Sequence, residues 1–126
     1  MTTRTFIALA AFFGATGVAL GAFGAHGLAG YFAANPDAEG TFQTAVQYHQ
    51  IHALALIGAA WIADKFAGRW ARLAGWLLTA GILLFSGSLY FLSLLNLRFM
   101  GAVAPLGGAC LVAGWASLGV AAWRGR

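Results

Sequence analysis

The chain has 126 residues, of which 61% are hydrophobic and only 8% are charged. A soluble domain carries about a quarter charged residues, so this chain has too few charges to cover a surface that faces water. Its net charge of +4 comes from Lys and Arg residues scattered at the ends of apolar stretches. Nucleic-acid-binding proteins instead gather basic residues on one face. The composition therefore predicts a single integral membrane domain without a nucleic-acid partner.

Four apolar stretches follow one another, each close to the roughly 20 residues with which a helix spans the hydrocarbon core of a bilayer. Strict alternation of apolar and polar residues is absent, and a backbone in lipid must satisfy its polar groups within a helix or a closed barrel. We therefore predict an all-α protein, an integral membrane four-helix bundle that occupies residues 1–126 as one domain. The predicted helices are about Phe6–Ala29, Phe42–Ala63, Leu73–Leu95 and Ala104–Trp123.

The first stretch carries Gly14, Gly17, Gly21 and Gly24, at steps of three, four and three residues. This spacing places the glycines on one helix face, where a neighbouring backbone can approach closely. We expect the face to pack against another helix, either in the same chain or in a second copy, so a homo-oligomer remains an open alternative.

Arg4 ahead of an apolar run is also typical of a secretory signal. The run is longer than a usual signal core, and we expect an uncleaved helix.

The second stretch is unusually polar, with the sequence TAVQYHQIHALAL over Thr44–Leu56. The purely apolar part, Leu54–Ala63, covers only about 15 Å of helix, which is half of the hydrocarbon thickness. The span must therefore include the polar residues, and this half of the helix should face protein or trapped water. On a helical wheel the polar residues form two sets, Gln43, Gln47 and Gln50 on one stripe and His49 and His52 on another side.

Polar residues of the other predicted helices lie at the same depth and complete a candidate cluster in the outer half of the bundle. The inner half carries little beyond Thr16, Thr79 and Ser117. Such a cluster can be structural, with hydrogen bonds between helices that contribute about 0.5–2 kcal/mol each. It can instead be a pocket for a proton, a quinone, a lipid headgroup or a small solute. The cluster comprises His26, Gln47, Tyr48, His49, His52, Ser86, Ser88 and Tyr90.

A third interpretation of the cluster is a metal or haem site. His49 and His52 share a helix face, and His26 on an antiparallel neighbour would add a third imidazole, a number suited to zinc or copper. A haem would take His26 with one of the other two as axial ligands. No carboxylate lies within the predicted spans and the spacing is not a specific motif. We therefore predict no cofactor, with the metal or haem site at these three histidines as the open alternative.

Catalytic patterns are absent from the chain. No Ser lies near both a His and a carboxylate in the predicted helices, and the acidic residues Asp37, Glu39 and Asp64 lie in loops. The glycine-rich segment Gly21–Gly27 lies within a predicted membrane helix and does not follow a strand, so it is not a phosphate-binding loop. The sequence does not predict an enzyme.

The basic residues predict the orientation of the protein in the membrane. Arg4, the segment Lys65–Arg72 and the residues Arg124 and Arg126 fall on one side of the four predicted spans, whereas Arg98 alone lies on the other side. Loops rich in Lys and Arg stay in the cytoplasm. Both termini are therefore predicted to be cytoplasmic.

Four separated motifs are distinctive: GAFGAHGL (Gly21–Leu28), TAVQYHQIHALAL (Thr44–Leu56), LFSGSLY (Leu84–Tyr90) and APLGGACLVAGW (Ala104–Trp115). Together and in this order they resemble the bacterial domain of unknown function 423 family, which is similar to eukaryotic transmembrane protein 256. The resemblance covers essentially the whole chain. It implies a small bacterial inner-membrane protein of four helices, and it implies no established activity.

These observations predict a multi-pass inner-membrane protein that acts through packing, as a structural, accessory or interaction protein in the bilayer. It would work alone, as a homo-oligomer or in a larger membrane complex. The alternative is a ligand-binding membrane protein that uses the polar cluster. The two differ in geometry, because a metal site needs imidazole nitrogens about 2.0–2.1 Å from one ion. A structural network instead pairs each His with a group on a different helix.

Overall fold

The computed structural model describes residues 2–66 and 68–125 of the chain. All regular structure within them is helical, without a strand, which confirms the all-α prediction. A π-helical turn joins α4 and α5 without a break, so that Arg69–Leu95 forms one continuous helical unit, called here the α4–α5 rod. The elements are α1 Thr2–His26, α2 Ala29–Ala34, α3 Pro36–Lys65, α4 Arg69–Gly81, the π-helical turn Ile82–Ser86, α5 Gly87–Leu95 and α6 Met100–Arg124.

The first two predicted helices differ from the observed ones at the end of the molecule far from the two termini. The helix predicted to reach Ala29 ends at His26, and the short helix α2 follows after a two-residue turn. The helix predicted to begin at Phe42 begins at Pro36, where the missing proline N–H belongs to the first turn and needs no partner. Asp37 lies in the same turn, and a carboxylate there is stabilised by the helix dipole. The prediction counted only apolar residues and so missed this polar first turn.

The third and fourth predicted helices also begin earlier than expected. The third begins at Arg69 and ends at Leu95, the predicted end, because Asn96 adopts a left-handed conformation with φ of 53°. The fourth begins at Met100. Pro105 therefore lies inside α6, in its second turn.

The long helices are antiparallel to their neighbours in the chain, and α3 is central. Gly24 of α1 lies beside Phe42 of α3, whereas Gly17 lies beside Gln50. α1 packs mainly on α3, and both α3 and α6 pack along the whole α4–α5 rod, with α6 mainly on α4. The hydrophobic core lies in the half of the molecule nearest the two termini, around side chains with no exposed area; these include Phe6, Leu56 and Leu78.

Glycines allow the helices to approach closely at several crossings. The ring of Phe6 fills the space where Gly75 would carry a Cβ, and Leu111 occupies the corresponding space at Gly81. At Gly107 of α6 the nearest atoms belong to the backbone of the π-helical turn, at Phe85. No side chain fits there without moving the backbone. Small residues at helix crossings are the usual means of close contact between membrane helices.

Three described helices are long and apolar enough to cross a membrane: Thr2–His26, Arg69–Leu95 and Met100–Arg124. Only 22% to 33% of the residues in their most apolar windows are buried, so most residues there keep at least part of their surface accessible. α3 is longer than α1 but is not among the three, since the polar residues of its first half lower its hydropathy. The second predicted span thus stays a prediction.

Candidate functional site

The imidazole of His49 joins three helices at the centre of the polar cluster. Its Nε2 lies 3.0 Å from the Thr16 hydroxyl of α1, and its Nδ1 lies 2.8 Å from the Tyr90 hydroxyl of α5. His49 itself is on α3 and is only 5% exposed. A single side chain thus links α1, α3 and the α4–α5 rod.

The hydrogen atoms of this network have one consistent arrangement. The Thr16 hydroxyl donates to the Phe12 carbonyl, 2.9 Å away, because a carbonyl can only accept. Having used its only proton, Thr16 accepts from Nε2–H of His49, which leaves Nδ1 as an acceptor for the Tyr90 O–H. The proton assignment follows from the partners and not from observed hydrogens. Every polar group in the chain Tyr90–His49–Thr16 then has a partner inside the protein.

Aromatic rings enclose the same imidazole. Phe13 meets the His49 ring edge-on at 5.7 Å between centroids, and Tyr90 meets it edge-on at 5.9 Å. Phe42 packs in turn against Tyr90, at 5.4 Å. These contacts close the space around His49 with apolar carbon, which strengthens the hydrogen bonds by excluding competing groups.

His52 forms a second link, from α3 to α6. Its Nδ1 lies 2.7 Å from the Tyr48 carbonyl, and its Nε2 accepts from the indole N–H of Trp115, 3.0 Å away. A carbonyl accepts and an indole donates, so the proton of this imidazole is at Nδ1. Both ring nitrogens are engaged, and neither has a lone pair free for a metal ion.

Hydroxyl groups supply further links between helices. Ser86, in the π-helical turn, donates to the Ala45 carbonyl of α3 at 2.8 Å. Tyr31 of α2 donates to the Ser93 carbonyl of α5. Ser88, by contrast, donates to the Phe85 carbonyl of its own rod and joins no second helix.

The remaining predicted cluster residues lie at the edge of this network. The Tyr48 ring is 40% exposed and stacks on His52 at 5.8 Å between centroids. Gln47 is exposed, and so is His26 at the end of α1. Since Gly17 is the α1 residue beside His49, His26 lies nine residues further along α1, about 13 Å at helical rise.

The three histidines therefore do not form the three-imidazole set that the sequence left open as an alternative. Across residues 2–66 and 68–125, no group of three or more His, Cys, Asp or Glu side chains lies close enough to hold a metal ion. His49 and His52 point to different partners on different helices. This arrangement is the one expected of a structural network.

Two members of the network were not in the predicted cluster. Thr16 was expected in the inner half, yet it lies at the level of His49 because α1 runs antiparallel to α3 with Gly17 beside that residue. Trp115 carries the only donor that reaches Nε2 of His52 among the described hydrogen bonds. The sequence could have indicated this role, because the indole N–H of a tryptophan far from the helix ends needs a hydrogen-bond partner.

Three of the four glycines of the α1 stripe face α3. A Cβ at Gly17 would lie 2.9 Å from Cγ of Gln50, and one at Gly21 would lie 3.3 Å from Cγ1 of Val46. The ring of Phe42 fills the corresponding space at Gly24. At Gly14 nothing lies within 4 Å of the Cβ position among the described residues, so this fourth glycine makes no close contact with α3.

A family model described as "Protein of unknown function (DUF423)" matches residues 20–108 of the chain. The chain belongs to the DUF423 family. The matched range contains His26, His49, His52 and Tyr90, whereas Thr16 and Trp115 lie outside it. Family membership therefore covers the central part of the polar network and carries no known activity.

Similar proteins from two bacteria extend the match to nearly the full chain. The UPF0382 membrane protein YwdK of Bacillus subtilis is 47% identical over 121 residues, which are 94% of this chain and 96% of that protein. The UPF0382 inner membrane protein YgdD of Escherichia coli K12 is 41% identical over 124 residues, 98% of this chain and 93% of that protein. No solved structure matches the chain. This is a small membrane protein of a family without a characterised function.

Proposed function

We propose that all four long helices cross the bacterial inner membrane, with both termini in the cytoplasm, and that the protein is a structural or interaction protein of the bilayer. The name of the E. coli relative supports the location. α3 is the one long helix that is not among the three with the hydropathy of a membrane span, and its packing supports the proposal that it crosses. It has 30 residues, about 45 Å at helical rise, and it lies along α1 and the α4–α5 rod, both of which have the length and hydropathy of membrane spans.

The distribution of charge supports the orientation. Lys65, Arg69 and Arg72 lie at the end of the helices where both termini lie, and basic residues favour the cytoplasmic side. The opposite end carries Asp37 and Glu39 in the first turn of α3.

One observation carries the structural interpretation of the polar cluster. Both ring nitrogens of His49 and of His52 are bonded within the protein, and the partners of each pair include a side chain on a different helix. A residue that binds a ligand keeps a donor or acceptor free for it. In these two imidazoles the hydrogen bonds hold helices together, and the buried polar groups also fix which faces of the helices meet.

The orientation is tested by cysteine labelling in intact cells. Cys110 is first replaced (Cys110→Ser), and Asp37→Cys and Gly125→Cys are then made singly. A maleimide that cannot cross membranes should label Asp37→Cys in intact cells and Gly125→Cys only after the cells are opened. Labelling of both positions from the same side would overturn the proposed crossing.

The structural role is tested on protein purified in mild detergent. Elemental analysis and an absorption spectrum should show no stoichiometric metal and no haem band, and His49→Leu should lower the resistance to unfolding. A metal or haem present at one equivalent, and lost in His49→Leu or His52→Leu, would replace the structural interpretation with a ligand site.

A further inference from the structure

One face of α3 has the spacing of a coiled-coil seam and is largely uncovered, although its residue Gln50 also lies beside Gly17 of α1. Six residues recur at alternating steps of four and three, which is the 3.5-residue period of helices that pack side by side along their length. Leu54 is 70% exposed and lies at the middle of this face, with Ile57 and Trp61 also about half exposed or more. The six residues, called here the α3 seam, are Gln43, Gln47, Gln50, Leu54, Ile57 and Trp61.

The three amides of the α3 seam lack partners on other helices of the chain. Gln47 and Gln50 make no hydrogen bond among the described residues, and the amide of Gln43 lies 3.4 Å from the Glu39 carboxylate of its own helix. Gln50 lies 14 residues before Asp64, about 21 Å along the helix, and so falls in the outer half of a hydrocarbon core about 30 Å thick. Polar groups facing hydrocarbon without a partner are costly. The seam therefore requires a polar partner.

The surface beside the seam is a long trough. Two adjoining cavities of about 690 and 470 Å³ lie between α1 and α3 and share Gln50 and Leu54 in their walls. Together they extend from Glu39, at the outer end, to Ile7, near the opposite end. Gly14, with nothing within 4 Å of its Cβ position, lines this trough. The trough has the length of a membrane helix.

A third cavity, of about 730 Å³, lies on the other side of the seam, between α3 and α6. Leu54 lines this cavity as well as the two in the trough. The seam is therefore a ridge with a depression on either side. A ridge next to a groove of matching length is the shape that a two-fold symmetric interface needs, because each copy offers both parts to the other.

We propose that a second copy of this chain docks on the α3 seam, with the two α3 helices parallel and related by a two-fold axis along the membrane normal. An amide both donates and accepts, so the glutamines of one copy satisfy those of the other. Polar residues at seam positions also fix the register of such a pair. No Lys, Arg or His lines the trough, and so its chemistry does not favour a phosphate headgroup. The proposal rests on the crossing of α3 proposed above.

Cysteine cross-linking in membranes tests the contact directly. In the Cys110→Ser background, Leu54→Cys should form a disulfide-linked dimer when an oxidant is added. The matched control is Val112→Cys on α6, because Val112 is 71% exposed and Leu54 70%. Val112 lies 12 residues from Arg124 and Leu54 lies 11 from Lys65, so the two positions have similar depth. Equal cross-linking of the two variants would overturn the proposal.

Association in liposomes tests the role of the amides. Copies carrying a donor or an acceptor dye at the N terminus are mixed, and energy transfer is followed as lipid is added. The double variant Gln47→Leu/Gln50→Leu should raise the dissociation constant about tenfold, the scale of one to two hydrogen bonds between membrane helices. Val112→Ala should leave it unchanged. Unchanged association in the double variant, or a monomer at every lipid ratio, would overturn the proposal.

Two further readouts separate this inference from the proposed function. The double variant should keep the helical circular dichroism of the wild type, because neither glutamine has a hydrogen-bond partner among the described residues. Labelling of Asp37→Cys reports whether α3 crosses the membrane. A crossing helix without cross-linking at Leu54 would overturn the dimer alone.

Discussion

The hydrogen bonds of His49 allow the polar network to be measured one pair at a time. In His49→Leu the imidazole is lost, and with it the bonds to Thr16 and Tyr90. Such bonds in a membrane protein contribute about 0.6 kcal/mol on average and up to about 1.7 kcal/mol. Losing two therefore predicts a fall of about 1–3 kcal/mol in the free energy of unfolding.

A double-mutant cycle isolates one of the two bonds. His49→Leu, Tyr90→Phe and the double variant are unfolded by SDS titration in mixed micelles, with helical circular dichroism as the signal. The coupling energy between the two positions should be about 0.6–1.7 kcal/mol. His26→Leu is the matched control, since His26 is exposed at the end of α1, and it should change stability by less than about 0.5 kcal/mol. A coupling energy near zero would refute the view that this bond holds α3 to α5.

Two other substitutions test contacts made by α6. Trp115→Phe keeps a large ring but removes the N–H donor to His52. It should lower the free energy of unfolding by about 0.6–1.7 kcal/mol in the same SDS titration. An unchanged unfolding midpoint would mean that the indole hydrogen bond does not link α3 to α6. Gly107→Ala places a methyl group against the backbone at Phe85 and should cost about 1–3 kcal/mol. At Gly119 a Cβ would have no described atom within 4 Å, so Gly119→Ala should leave the free energy of unfolding unchanged or raise it. Equal effects of the two glycine variants would contradict the close crossing.

The helices were predictable because long apolar runs leave few alternatives in lipid. Their starts were not: α3 begins at Pro36 with polar residues ahead of its apolar run, and α6 begins at Met100, one turn before the predicted Ala104. A hydropathy pattern records where lipid begins and not where the backbone becomes helical. The π-helical turn was not predictable either, as the segment between Gly81 and Gly87 has no proline or polar run that marks it.

The candidate site was predictable in part. Depth along the helices put His49 and Tyr90 in one layer, and they are hydrogen-bonded. The depth of a residue in the membrane does not reveal which faces of two helices meet. Depth alone therefore left open a site of three histidines, whereas His49 and His52 contact different helices. Thr16 and Trp115 were missed for the same reason, because their roles depend on the register of α1 and α6 against α3.

The π-helical turn determines which face of α5 meets α3. A π-helical turn is an α-helix with one additional residue, and one residue corresponds to about 100° of rotation. Shortening Ile82–Ser86 by a single residue would leave α4 packed as it is but rotate α5 by roughly this angle. Tyr90 would then turn away from His49. The contact between these two side chains thus depends on the number of residues in one turn of backbone as much as on their own chemistry.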